Sequence, residues 1–162
     1  MLRRRQAARV RGAGGWYVIV ASRYNRRYVE GMVGAARAQL EAAGAEVTVV
    51  RVPGAYEIVL GAELVARGGL GRRPAAIVCL GVILRGETMH AELIGRAVTD
   101  GLMQVGLRHG LPVIHEVLLL ENEAQAQRRC LDRRYNRGLE AAQTALQMAR
   151  LVKRLEGSKP AQ

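Results

Sequence analysis

Lysine is nearly missing from this chain. The only two, Lys153 and Lys159, fall within the last ten residues, beyond the last apolar helical pattern. That placement argues against a buried Schiff-base lysine or a lysine-bound pyridoxal cofactor. Serine is just as scarce. Ser22 and Ser158 are the only two, and neither sits in a G-x-S-x-G elbow, which argues against a serine hydrolase. The G-x-x-x-x-G-K-[ST] phosphate loop is absent. The two cysteines, Cys79 and Cys130, are too far apart for a zinc-ligand pattern and too few for a disulfide framework. Cys79 lies in an apolar run and is most simply a small core residue. No run approaches the roughly 18 apolar residues needed to span a membrane. No secretory h-region follows the arginine-rich start either. The expectation is a soluble cytoplasmic protein with no membrane contact and no structural metal.

What is present is arginine. Of 25 basic residues 23 are Arg, and the formal charge is +11. Five arginines fall within the first eleven residues. The plainer reading is compositional drift plus a solvated tail; the sharper one is an RNA- or phosphate-binding arm. The arm has no interleaved aromatics on which bases could stack, which argues against nucleic acid. At 162 residues, 49% hydrophobic and 24% charged, the chain suits one globular domain with its own core. The expected division is a flexible basic arm over 1–14, one domain over 15–156, and a tail over 157–162.

Hydrophobic periodicity organises that domain. Trp16 to Ala21 is a short run rich in β-formers and predicts a buried strand. Tyr28, Met32, Ala35, Ala36, Leu40 and Ala43 recur at helical spacing, and Gly44 closes that helix. Val47 to Val52 predicts a second strand, ended by Pro53-Gly54, and Ile58 to Ala66 a second helix. Ala75 to Leu80, extended by Val82-Ile83-Leu84, predicts a third strand. The next helix is expected to bury Leu93, Ile94, Ala97, Val98, Leu102 and Val105. A fourth strand over 113–120, a short polar helix over 123–129 and a long helix over 137–155 complete the order. Strands alternating with helices imply an α/β fold: a four-stranded parallel sheet in a three-layer α/β/α sandwich of flavodoxin-like type. Ligands of such sheets bind outside the carboxyl ends of the strands. That rule selects the loops at 22–25, 53–57, 81–90 and 115–121.

Those loops carry the candidate chemistry. Gly86-Glu87-Thr88 precedes a helix, whose N–H groups and dipole can hold an anion. His90 sits in the first turn, where an imidazole can exchange protons near that anion; by position alone a surface helix-start histidine is the plainer reading. Tyr24 and Tyr56 each follow a strand end, where a ring can stack on a planar heterocycle or cap the core. Glu57 could accept hydrogen bonds from sugar hydroxyls. His115 lies in an apolar strand segment, where a satisfied buried histidine is the commoner outcome. Arg129 and Arg133 share a helical face, and guanidinium is the preferred fork for phosphate; a solvated charged face is the plainer reading of the cluster over 128–137.

Taken in order, Pro53-Gly54-Ala55-Tyr56-Glu57-Ile58, Gly81-Val82-Ile83-Leu84-Arg85-Gly86-Glu87-Thr88-Met89-His90, Gly110-Leu111-Pro112-Val113-Ile114 and Asn136-Arg137-Gly138 with Glu140-Ala141-Ala142 resemble the 6,7-dimethyl-8-ribityllumazine synthases. The resemblance spans roughly residues 16–152. It implies condensation of 5-amino-6-(D-ribitylamino)uracil with 3,4-dihydroxy-2-butanone 4-phosphate, releasing phosphate and water in riboflavin biosynthesis, without a metal or organic cofactor. It implies that His90 is the acid–base residue. Glu87, Thr88 and Arg129 match the phosphate-binding positions. Tyr24 falls where the family stacks an aromatic on the pyrimidine. Ala55, Tyr56 and Glu57, with Val82, Ile83 and Leu84, match the segments that hold the ribityl-uracil. His115 stands at a substrate position usually filled by an aromatic such as Phe, and Arg137 where a lysine is common. The family assembles as homopentamers with sites between subunits. Icosahedral shells of pentamers and a functional link to riboflavin synthase are further expectations. Leu118-Leu119-Leu120 and the 130–135 turn depart from the family's pattern. The competing expectation is a shell protein on the same fold with lapsed catalysis.

Overall fold

A computed structural model describes residues 14–157. Almost all of the expected basic arm and most of the tail lie outside the described residues. Four strands form: β1 (Trp16–Ser22), β2 (Glu46–Val52), β3 (Ala76–Leu84) and β4 (Val113–Leu120). Five helices connect or follow them: α1 (Arg26–Ala42), α2 (Ile58–Ala66), α3 (His90–His109), α4 (Glu123–Cys130) and α5 (Arg137–Gly157). The sheet is parallel throughout, in the order β2-β1-β3-β4. The central pair explains itself. All seven residues of β1 and the first eight of β3 are buried, as expected of strands covered on both faces.

The alternation of side chains sends each strand into two cores. Tyr17, Ile19, Val78 and Leu80 pack with α1, α4 and α5. Val18, Val20, Ile77 and Cys79 pack with α2 and α3. The expected three layers are therefore present. Each core holds one free cysteine, Cys79 in the α2–α3 layer and Cys130 in the other. Burial pushes the Cys130 thiol up to about 12, with Glu116 adding to the shift, and pushes Cys79 higher still.

Local chemistry sets the junctions. Gly44 ends α1 with a φ of +80°, as a helix-closing glycine should. Asn25 stands before α1 in the left-handed region at φ +54°, and its side chain donates to the Val82 carbonyl at 2.7 Å. Asn136 is buried and ties three helices together. Its Nδ2 donates to the carbonyls of Gly31 and Cys130, and its Oδ1 accepts from the N–H groups of Gly138 and Leu139. It is thus the N-cap of α5. Gly138, next in that turn, lies against the backbone of Met32 on α1.

Three expectations need correction. Leu93 was expected in the core but is 60% exposed, and Ala97 is exposed as well. They belong to an apolar stripe that α3 turns away from the sheet; the sheet-facing residues are Ala91, Val98, Leu102 and Val105. Exposed Leu60 and Leu64 of α2 and Met103 and Leu107 of α3 extend that uncovered apolar surface. Gly157, expected in the tail, is the last residue of α5.

Candidate functional site

The carboxyl ends of β1 and β3 open into a cavity of about 980 Å³. Two smaller hollows, of about 610 and 500 Å³, lie beside α1 and at the amino ends of the strands, and neither is lined by a histidine. The larger cavity gathers Tyr24, Ala55, Tyr56, Glu57, Val82, Ile83, Leu84, Thr88 and His90. Nine of the thirteen expected site residues therefore meet in one place. Both tyrosines stand at its rim, Tyr24 74% and Tyr56 61% exposed. They do not cap the core. Their ring faces are free to stack on a planar ligand.

The anion end is built at the start of α3. Met89 caps the helix with no side-chain hydrogen bond, leaving first-turn N–H groups directed at the loop. Thr88 Oγ1 is 3.4 Å from the His90 N–H. His90 is the first helical residue and is exposed. Arg85 steadies this loop. It pairs with Glu92 on the first turn of α3, and with Glu121 past the end of β4 at 2.8 Å. At the other wall, Glu57 turns one carboxylate oxygen back to the Gly54 N–H at 2.9 Å. Its second oxygen accepts no hydrogen bond among the described residues and is open to a ligand hydroxyl.

The sequence reading missed Asn25. It lines the cavity and clasps the end of β3 from the start of α1. The available signal was an asparagine between a strand and a helix, since Asn is one of the few residues that tolerate the left-handed region.

Four expected residues lie outside the cavity: Glu87, His115, Arg129 and Arg137. Glu87 is exposed in the loop before α3, and Arg129 is exposed near the end of α4. His115 is half-buried on β4. Its Nδ1 accepts the Val117 N–H at 3.0 Å, so the neutral ring carries its hydrogen on Nε2. That nitrogen is 2.8 Å from Thr99 Oγ1, which donates in turn to the Gly95 carbonyl. Burial also lowers the His115 pKa. His115 is thus a neutral ring with both nitrogens engaged, able to offer a face but poorly suited to proton transfer.

Arg137 is held on the opposite face of β4. Its Nε and Nη2 donate to Glu116 at 3.1 and 2.9 Å, and its Nη1 donates to Glu140 at 2.5 Å. Glu116 is only 9% exposed. Burial pushes its carboxyl above the usual range, against the opposing pull of Arg137 and Arg129. The sequence reading missed Glu116 too.

A family model described as 6,7-dimethyl-8-ribityllumazine synthase matches residues 16–153. A protein of that name from Xanthobacter autotrophicus is 41% identical over 145 residues, covering 88% of this chain and 88% of the relative. One from Xanthomonas campestris pv. campestris is 40% identical over 142 residues, covering 86% and 90%. One from Salinibacter ruber is 39% identical over 147 residues, covering 89% and 92%.

Proposed function

Because the chain belongs to the 6,7-dimethyl-8-ribityllumazine synthase family, we propose that it condenses 5-amino-6-(D-ribitylamino)uracil with 3,4-dihydroxy-2-butanone 4-phosphate. The product is 6,7-dimethyl-8-ribityllumazine, with phosphate and water released. The observation that carries this reading is the single cavity joining an aromatic rim, a polar wall and a helix start that bears His90. The pyrimidine stacks at Tyr24. The ribityl chain runs along Ala55, Tyr56 and Glu57 and the ends of β3 at Val82, Ile83 and Leu84. The phosphate of the second substrate lies at the backbone of the Glu87-Thr88 loop and the open N–H groups of α3, where the helix dipole favours an anion, with the Glu87 carboxylate turned away from it. Imine formation, phosphate elimination and ring closure each move a proton, and His90 beside the phosphate serves those transfers. Much of the acceleration comes from holding two reactive partners in register.

One copy is not sufficient in this reading. His115, Arg129 and Arg137 lie outside the cavity of their own chain, and α2 and α3 present uncovered leucines and Met103. We assign those three residues to the cavity of a neighbouring copy, in a homopentamer whose contacts cover that apolar face. Larger icosahedral assembly, a cytoplasmic location and a functional link to riboflavin synthase extend the same proposal. So does a family domain that runs over residues 15–156 between a basic arm and a tail. No helix among the described residues is long and apolar enough to cross a membrane. The shell-only alternative is not favoured, because the cavity keeps both its rim and its histidine.

The direct test is turnover with the two substrates, following lumazine absorbance and phosphate release against the non-enzymatic background. Product above background supports the reading; a folded oligomer that makes none overturns it. Arg129→Ala raises the KM for the phosphate substrate by about 10- to 100-fold, the scale of one lost charge-assisted hydrogen bond. The KM for the pyrimidine stays within a few-fold. Equal losses for both substrates would remove Arg129 from the phosphate.

A further inference from the structure

Glu116 is the one carboxylate in β4, whose other residues are apolar except for His115. A carboxylate so buried needs a reason, since burial without pairing is costly. Its partners come from two helices. From α5, Arg137 grips it with a two-pronged fork, and Glu140 flanks the same guanidinium. From α4, Arg129 lies close enough for its charge to favour the carboxylate, and Cys130 is the remaining titratable neighbour. On the sheet side its register partner is Leu80. The two cations and the two carboxylates cancel. Arg129 has no carboxylate within salt-bridge distance among the described residues, so its guanidinium can still take a ligand.

We propose that Glu116 is a positioning residue that acts through Arg137 and Arg129, holding the first in a fixed fork and offsetting the charge of the second so that a bound phosphate is gripped weakly enough to leave. The inference rests on the reading of Arg129 as a phosphate-binding residue. Its physical basis is simple. One substrate and one product carry phosphate and meet the same cations, so the counter-charge loosens both; product release gains, and weaker binding of the phosphate substrate is the cost. A buried carboxylate beside the cations lowers the local potential permanently, with no motion required.

The test is calorimetric titration of inorganic phosphate into the full-length protein in its native assembly. Glu116→Gln keeps the shape of the side chain and removes its charge. It binds phosphate roughly tenfold more tightly, the scale of one unit charge acting across about 10 Å at an effective dielectric near 20. Glu116→Asp keeps the charge and stays near the parent affinity. Adding Arg129→Ala to Glu116→Gln abolishes the gain. In turnover, Glu116→Gln shows product inhibition at lower phosphate concentration, a sign that a merely destabilising change would not produce. If Glu116→Gln folds poorly, Glu140→Gln removes the outer carboxylate and gives a smaller tightening. Arg129-dependent phosphate binding that neither variant strengthens overturns the proposal alone. Phosphate binding that ignores Arg129→Ala overturns the phosphate assignment and the proposal with it.

Discussion

His90→Ala lowers kcat/KM by about 10²- to 10⁴-fold, the usual contribution of a positioned acid–base group, and leaves the melting temperature almost unchanged. The two halves of this expectation have separate causes. His90 is exposed at the first position of α3 and belongs to neither core, so truncating it removes no packing. Its backbone N–H keeps its weak contact with Thr88. The first turn of α3 is held by the Arg85 pairs with Glu92 and Glu121 rather than by the imidazole. What the substitution removes is the one histidine that lines the cavity. Steady-state kinetics beside a thermal melt reads both halves. A melt that drops together with the rate would make His90 structural, and an unchanged rate would take it out of the chemistry. Residual turnover above background is expected, because holding two substrates together accelerates their reaction without a proton carrier.

Gly138→Ala is expected to destabilise the fold by about 4 kcal/mol or more, within the range reserved for severe packing conflicts. Helix propensity alone gives the opposite sign, since alanine is favoured over glycine by about 1 kcal/mol in a helix interior. Packing decides against propensity here. A Cβ at 138 would overlap the Met32 carbonyl oxygen, and the obstacle is backbone, not a side-chain tip that could swing away. Relief would require moving α1 from α5 at the point where Asn136 ties both. Gly34→Ala is the matched control. It is also helical, and an added Cβ there meets nothing within 4 Å. Urea denaturation should show the control slightly stabilised and Gly138→Ala largely unfolded or insoluble. Equal stability of the two would mean that α1 and α5 tolerate a wider spacing than the structure shows.

The elements themselves were legible because most of the chain follows one period at a time. Trp16 to Ala21 alternates into two cores and is apolar throughout, which is what a doubly covered strand requires. Periodicity could not say which apolar face the sheet covers. Leu93 and Ala97 keep helical spacing with Val98 and Leu102, yet only the latter two face the sheet. The loops that meet in the cavity were legible because loops at one end of a parallel sheet share an address; the choice of Ala55, Val82, Ile83 and Leu84 within them came from the family resemblance. Pairings across the sheet were not. Glu116 and Arg137 lie 21 positions apart on different elements, and nothing local in either segment points to the other. A lone carboxylate among leucines and valines does announce that it needs a partner, but not which one. The hydrogen bonds that keep His115 neutral are hidden for the same reason: Thr99 reaches it from α3.

The cysteines, one in each layer, carry a consequence for how the domain opens. A thiol reacts only as an exposed thiolate, and both are buried and held protonated. Labelling by a thiol reagent under native conditions therefore waits for the layer around each sulfur to come apart. Cys79 reports the α2–α3 side of the sheet, and Cys130 the α1–α4–α5 side. If the sandwich opens as one cooperative unit, the two sites label at one common rate. If the layers are separate foldons, the rates diverge, and the slower one marks the layer that holds the sheet last.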